Sequence, residues 1–573
     1  MSAAAHDDTG RRDTSRHAAE AQDRARHGSA HQDTFARDRL PPPEAWPQFV
    51  FALPELAYPP RLNAAVELLG GALKRGWGER TAIVASDGTR WTYRELDAHA
   101  NRIARVLVED MGLVPGNRVL LRAPNSPMHA ACWFAVVMAG GIAVGSMPLL
   151  RARELRAMIT KARISHALCD ARLAGELEIA GRDCPSLTTV RLFGGDGADD
   201  LVTRMAGKAD RFDALDTAAD DVALIAFTSG TTGTPKGTVH FHRDLVAVCD
   251  CFPQSILRAR MDDVFVGSPP LAFTFGLGGL LLFPLRIGAA TLLIEKATPD
   301  VLLAAIAQHR ASVLFTAPTS YRAMAAHAKE HDLGSLRKCV SAGEALPAAT
   351  RAAWKDATGI EIIDGIGSTE LLHIFISHDE AGARPGATGR VVPGYEACIM
   401  DEHGRPLPPG EVGRLAVRGP TGCRYLDDER QANYVRDGWN YTGDAYLMDA
   451  DGYFVYQART DDMIISAGYN IAGPEVEGAL LLHEAVAECG VIGVPDEERG
   501  QIVQACVVLK PGYTADDAMT RGLQAFVKQT IAPYKYPRVI RYLDNLPRTE
   551  TGKLQRFRLR QTDDRGPPPR SEP

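Results

Sequence analysis

Cysteine is sparse and scattered in this chain of 573 residues: ten thiols, no CxxC, and no tandem pairs at zinc spacing. That excludes a zinc ribbon or a disulfide framework as the organising device. Cys249 and Cys251 are the nearest pair, and one CxC is not a metal site. With no signal-peptide pattern either, free and mostly buried thiols in a reducing cytoplasm are expected. A bias of charge is also missing. The 64 Lys and Arg against 71 Asp and Glu leave −7, which excludes nucleic acid as a polyelectrolyte partner. Residues 264–285 carry no charge, but Pro269, Pro270 and Pro284 with Gly267, Gly276, Gly278 and Gly279 interrupt them. They read as a buried core segment beside a ligand pocket, and no membrane insertion is expected.

What is present is the balance of an ordinary globular protein, 45% hydrophobic and 24% charged. At ~150 residues per unit the length suggests three or four folding units, fewer if one is large. Residues 1–39 hold seven Arg, seven Asp or Glu and four His, with almost no large apolar side chain besides Phe35. Such a stretch cannot bury enough surface to offset its ordering entropy, so residues 1–35 are expected to form a disordered tail. Its acids argue against an organelle transit peptide. Residues 561–573, polar and Pro-rich, read the same way.

From Trp91 onward, β-like runs alternate with helical spacing. Thr92 and Glu95 form a capping-box signature ahead of Leu96, Ala100, Ile103 and Leu107. Strands are expected at 119–121, 165–169, 223–227, 290–294, 313–315 and 360–363. Helices are expected from Pro127, over 151–163 and over 299–310. The alternation predicts an α/β fold, with a large body of helix-covered, mainly parallel sheets over 36–460. After Asp461 two apolar runs, 485–494 and 501–509, flank a polar turn, and a helical pattern covers 514–531. A small α+β domain over 461–560 is expected.

The sharpest motif is Thr228-Ser229-Gly230-Thr231-Thr232-Gly233-Thr234-Pro235-Lys236-Gly237. Glycines bring backbone N–H groups close to a phosphate, and the hydroxyls and Lys236 add donors and charge, so a polyphosphate is the natural guest. Pro235 breaks the ending of a Walker A loop. Gly343, Glu344 and Ala345 sit between a strand and a helix, where small residues admit a flat ring. Asp364-Gly365-Ile366-Gly367-Ser368-Thr369-Glu370 follows another strand, where ligands of parallel sheets bind. A carboxylate there suits Mg²⁺, although Ser-Thr-Glu alone reads as a helix cap. Asp444 follows a turn, Arg459 precedes Asp461-Asp462, and Gly552-Lys553 lies near the end. The triplet His240-Phe241-His242 receives no metal role.

In this order the motifs resemble the adenylate-forming (AMP-dependent synthetase and ligase) family, which includes acyl-CoA synthetases, peptide-synthetase adenylation domains and beetle luciferase. The resemblance runs from about Phe35 to Arg560. It implies ATP-dependent adenylation of a carboxylic acid, release of pyrophosphate, and transfer of the acyl group to CoA. It gives residues 228–234 and Lys236 to the phosphates, residues 343–345 and 364–368 to the nucleotide, and Asp444 and Arg459 to the ribose. Thr369 contacts phosphate and Glu370 holds Mg²⁺. Lys553 bridges the substrate carboxylate and the α-phosphate, so its acetylation by a protein lysine acetyltransferase is expected to switch adenylation off. Asp461 matches the hinge of the small lobe.

Ser466, Gly468 and Tyr469 would line the CoA tunnel, although Met463-Ile464-Ile465-Ser466 lacks the lysine that many members carry there. Phe273, Thr274, Phe275, Gly276, Gly367 and His373 would form the acyl pocket. A slot of Phe and Gly suits a stacking ring. His373 either meets an ortho amine or hydroxyl or is a satisfied core histidine. Residues 40–47, 147–152 and 371–375 look similar to 2-aminobenzoate- and benzoate-CoA ligases. An aromatic acid, ATP and CoA are thus the expected small-molecule partners, for a monomer or homodimer. The rivals are a medium-chain fatty acyl-CoA synthetase, a carrier-protein ligase and a non-catalytic adenylate-binding sensor.

Overall fold

The computed structural model describes residues 28–228, 235–460, 462–466, 469–548 and 554–561. Those residues form four sheets. The first has the spatial order 189–193, 166–170, 118–122, 142–146, 222–228, 236–241, parallel except for the last strand, which pairs antiparallel with 222–228. Val119, Leu120 and Leu121 are buried, as a parallel strand covered on both faces requires. The second sheet has the strands 362–367, 338–341, 313–316, 264–267, 290–293 and 81–85 in parallel, with antiparallel edges.

Local rules account for many of the bounds. Thr92 Oγ1 accepts from Glu95 N at 3.1 Å, and Glu95 Oε2 accepts from Thr92 N at 2.8 Å. This capping box starts the helix Tyr93–Arg105 and contributes about 1 kcal/mol. Ser126 caps Pro127–Met138, and Thr298 caps Pro299–His309, each with proline in the first turn. The uncharged stretch at 264–285 is a buried strand followed by broken helical turns, and among the described residues no helix is long and apolar enough to cross a membrane. All ten cysteines are free, and all but Cys398 are buried.

Two features were not read from the sequence. The third sheet is wholly antiparallel: the long strand Trp439–Met448 pairs with 412–418, 435–436 and 454–459. Residues 28–35, assigned above to a disordered tail, are instead packed. Ala30 N donates to Asp221 at 2.9 Å, Asn117 donates to Asp33 at 2.8 Å, and Asp33 pairs with Arg118. The Phe35 ring sits among the guanidinium groups of Arg39, Arg118 and Arg163 at 5.9, 4.9 and 4.9 Å. Composition missed this because the segment binds through charge and cation–π contacts rather than apolar area.

The fourth sheet belongs to the chain after 461. In the hairpin Val486–Asp496 and Gly500–Leu509, the second strand also pairs with Ser466 of the 464–466 and 469–471 hairpin at Gly500 and with 539–542 along 504–507. Leu523 and Val527 of the helix Asp517–Thr530 complete its own core with Val476, Val491 and Val507.

Candidate active site

The strand Val222–Thr228 and the strand Lys236–Phe241 pair so that Thr228 faces Lys236. The intervening Ser229, Gly230, Thr231, Thr232, Gly233 and Thr234 lie outside the described residues. Lys236 directs its ammonium at Tyr425, 3.4 Å from the phenol oxygen and 5.0 Å from the ring centroid. Tyr425 is there because residues 424–426 run along the same strand: Val239 N donates to Arg424 O, and Leu426 N to Gly237 O, both at 2.8 Å. The Tyr425 hydroxyl then donates to Glu370 Oε1 at 2.5 Å. Lys236, Tyr425 and Glu370 thus form one chain of polar contacts.

Below it lies a buried ion pair. Arg424 and Asp244 are completely buried, with Arg424 stacked 3.8 Å over the Phe241 ring. Burial works to raise the Asp244 pKa, and the Arg424 charge overcomes it and holds the carboxyl below its ordinary value. His240, also buried, donates from Nε2 to the Thr369 carbonyl at 2.8 Å. Within the triplet, His240 thus holds the Thr369 backbone, Phe241 lies under Arg424, and His242 Nδ1 accepts from Ala64 N at 3.1 Å.

Strand Ile362–Gly367 runs through the first half of the second motif, and Ser368 to His373 then turn sharply. Leu371 N donates to Ser368 Oγ at 3.2 Å, and Leu372 adopts φ +71°, a left-handed conformation unusual for a leucine. That residue stops Ser-Thr-Glu from capping a helix. Ser368 Oγ is also 3.2 Å from the Tyr434 hydroxyl. Asp364 is buried within this strand, and burial pushes its pKa up to about 7 against the opposing charge of Arg351. On the neighbouring strand Ser341 lies beside Asp364 in register, and Gly343, Glu344 and Ala345 follow it. Asp444 and Arg459 face each other across two antiparallel strands, with Arg459 Nη1 3.0 Å from both Asp444 Oδ1 and Thr442 O.

Of the expected acyl-pocket residues, Phe275 and Gly367 lie against His373, whose other aromatic neighbours, Phe252, Phe283 and Phe315, were not anticipated. The His373 ring centroid lies 4.4 Å from that of Phe283, 5.6 Å from Phe275, 6.0 Å from Phe252 and 6.3 Å from Phe315. His373 is buried with no side-chain hydrogen-bond partner, and the Phe275 backbone is the polar group facing its ring. Burial depresses its pKa to about 3. Glycines bring the walls close. A Cβ on Gly276 would lie 2.1 Å from Pro270 O, one on Gly278 2.4 Å from His373 Cδ2, and one on Gly367 2.7 Å from His373 O. Phe273 precedes the short helix Thr274–Leu277, whose Thr274 is buried.

Ser466 and Tyr469 pair on the edge hairpin of the fourth sheet, where the exposed Tyr469 stacks on Tyr534 at 4.7 Å. Gly468, Asp461 and Lys553 lie outside the described residues. Tyr425, Tyr434, Arg424 and Asp244 were not anticipated. The only sequence signal for them is Arg424-Tyr425-Leu426, a short apolar–charged run without a motif.

Comparison with known proteins fits this geometry. Residues 73–424 match the model of the AMP-binding enzyme family, and residues 475–553 match that of the AMP-binding enzyme C-terminal domain. The chain belongs to the AMP-binding enzyme family. A benzoate–CoA ligase of Thauera aromatica is 37% identical over 514 residues, covering 88% of this chain and 97% of that protein. The mouse mitochondrial acyl-coenzyme A synthetase ACSM3 is 30% identical, covering 83% and 84%. The crystal structure of the anthranilate CoA ligase AuaEII in complex with anthranoyl-AMP superposes with a TM-score of 0.85 at 34% identity, covering 89% of this chain and 99% of that one. Like these relatives, the chain is an AMP-forming acid–thiol ligase, for which ATP and CoA are substrates.

Proposed function

We propose that this ligase activates an aromatic carboxylic acid of the benzoate or 2-aminobenzoate type. The observation that carries the reading is the buried His373 imidazole among Phe252, Phe275, Phe283 and Phe315, with Gly278 and Gly367 packed directly against it. A flat ring stacks against aromatic walls of this kind, whereas a flexible acyl chain gains nothing from their flatness. The neutral imidazole can donate to or accept from an ortho substituent.

A carboxylate is a poor acylating agent because oxide is its leaving group. Its oxygen attacks the α-phosphorus of ATP, pyrophosphate leaves, and the carbonyl then carries AMP as leaving group. That step needs in-line placement and neutralised charge more than acid–base chemistry. Lys236 and the hydroxyls of Thr228 and Thr369 serve the phosphates in this reading, and Asp444 with Arg459 holds the ribose. Mg²⁺ would be held by Glu370, supplying positive charge to the phosphates. The buried Glu370 carboxylate, one oxygen already held by Tyr425, fits an ion that keeps waters and phosphate oxygens as its other ligands. Lys553 is assigned the bridge between carboxylate and α-phosphate. Rotation of the small domain about Asp461 then replaces it with the CoA thiol, led in past Ser466, Gly468 and Tyr469. The thiol needs no dedicated base, being strongly nucleophilic even when a few per cent ionised. Acetylation of Lys553 would remove its charge and stop the first step.

The test is acid-dependent pyrophosphate release with benzoate, 2-aminobenzoate, 2-hydroxybenzoate and hexanoate, with and without Lys553→Ala. Release with the aryl acids that Lys553→Ala abolishes supports the reading. Preference for hexanoate makes it a medium-chain enzyme like the ACSM relatives, and no release with any acid points to a sensor.

A further inference from the structure

We propose that Arg548 is a positioning residue for the first half-reaction alone, latching the small lobe to the nucleotide segment of the body through Glu344. The proposal rests on the function assigned above. Arg548 and Leu554 form an isolated antiparallel bridge, and the sequence between them contains Lys553. Both ends of that bridge are tied to one strand of the lobe, Val486–Asp496. At one end Arg548 Nη2 donates to Glu488 Oε2 at 2.7 Å. At the other, Leu554 lies so close to Gly490 that a Cβ there would meet its Cδ2 at 2.8 Å. Arg548 and Leu554 are therefore both fixed to the lobe's own strand.

A second bond leaves the lobe. Arg548 Nη1 lies 3.4 Å from Glu344 Oε1, on the segment between the strand Lys338–Ser341 and the helix Ala348–Thr358 of the body. The two side chains are 28% and 18% exposed, so solvent and salt screen this pair less than a surface one. The guanidinium fork lets one side chain satisfy both carboxylates at once, which a lysine ammonium does with less definition. The two bonds answer differently to motion. Rotation of the lobe carries the Glu488 bond along and breaks the Glu344 bond. The latch thus exists in the present arrangement of lobes and in no arrangement that swings the small lobe away.

The test compares Arg548→Gln and Arg548→Lys with the native protein in separated half-reactions. Acid-dependent exchange of pyrophosphate into ATP reads the first, and thioester formation from synthetic benzoyl-adenylate and CoA reads the second. Arg548→Gln should lower exchange at least tenfold, through kcat with the KM for ATP within twofold, and leave the second half-reaction within twofold. Arg548→Lys should recover part of the loss. Limited proteolysis between the lobes in the presence of ATP should quicken at least threefold in Arg548→Gln. Equal losses in both half-reactions, or unchanged exchange with unchanged proteolysis, would overturn the latch. A native protein inactive with every acid, yet showing the faster cleavage in Arg548→Gln, would refute the functional reading and leave the latch standing.

Discussion

The Tyr425 hydroxyl donates to Glu370 Oε1 at 2.5 Å, while the same oxygen lies 3.4 Å from the Lys236 ammonium. One phenol therefore orients the carboxylate assigned to Mg²⁺ and meets the lysine assigned to phosphate. Tyr425→Phe keeps the ring that Lys236 stacks on and removes both polar contacts. We expect a fall in adenylation of about tenfold, consistent with loss of one hydrogen bond to a charged group. The Mg²⁺ concentration for half-maximal rate should rise. An unchanged Mg²⁺ titration would show that Tyr425 does not orient Glu370.

Asp364 gives a stability signature in pH. Its carboxyl sits near 3.8 unfolded and about 7 folded, because burial outweighs the Arg351 charge. Between those values the folded state binds the extra proton, so stability falls as pH rises and levels off above about 7. Asp364→Asn abolishes this titration. Denaturant unfolding without ATP should show the variant gaining about 2 kcal/mol relative to the native protein from pH 5 to pH 7. Parallel curves would place the titration elsewhere.

His373 should decide between ring substituents. Its pKa near 3 keeps it neutral at assay pH, so kcat/KM for the acid should carry no titration from it above pH 6. His373→Leu should lower kcat/KM for 2-aminobenzoate or 2-hydroxybenzoate about tenfold and change benzoate less than threefold. Equal losses for all three acids would assign His373 to wall shape alone.

The Arg424–Asp244 pair should dominate local stability. Asp244→Asn leaves a fully buried guanidinium without its counter-charge, a loss of about 3–5 kcal/mol in pairs of this kind. The midpoint of chemical unfolding should fall accordingly, and pyrophosphate release should fall with it because Thr369 rests on the same layer. A shift under about 1 kcal/mol would mean that water reaches Arg424 in the variant.

The parallel sheets were legible because β-like runs and helical spacing alternate from Trp91 to Ile363, and capping chemistry at Thr92 and Pro127 marked two starts. The antiparallel sheet was not, since strands such as 412–418 and 439–448 mix Arg, Gly and Trp with apolar residues and carry no clean period of two. At the site, the motifs named Lys236 and Glu370, which the structure joins through Tyr425, and Asp444 and Arg459, which it pairs. Supporting residues stayed hidden because Tyr425 and Asp244 act through pairing distant in sequence, 55 residues from Glu370 and 180 from Arg424. The left-handed Leu372 is equally silent in sequence, where leucine signals helix.

The glycines around His373 have an evolutionary corollary. Added side-chain carbons at Gly276 and Gly367 would strike carbonyl oxygens, and main chain cannot step aside as a rotamer can. Selection for new acids must therefore leave these positions alone and act on movable neighbours such as Phe275 and His373. Directed libraries aimed at altered specificity should be seeded there, and surviving clones should keep glycine at both sites without being forced to.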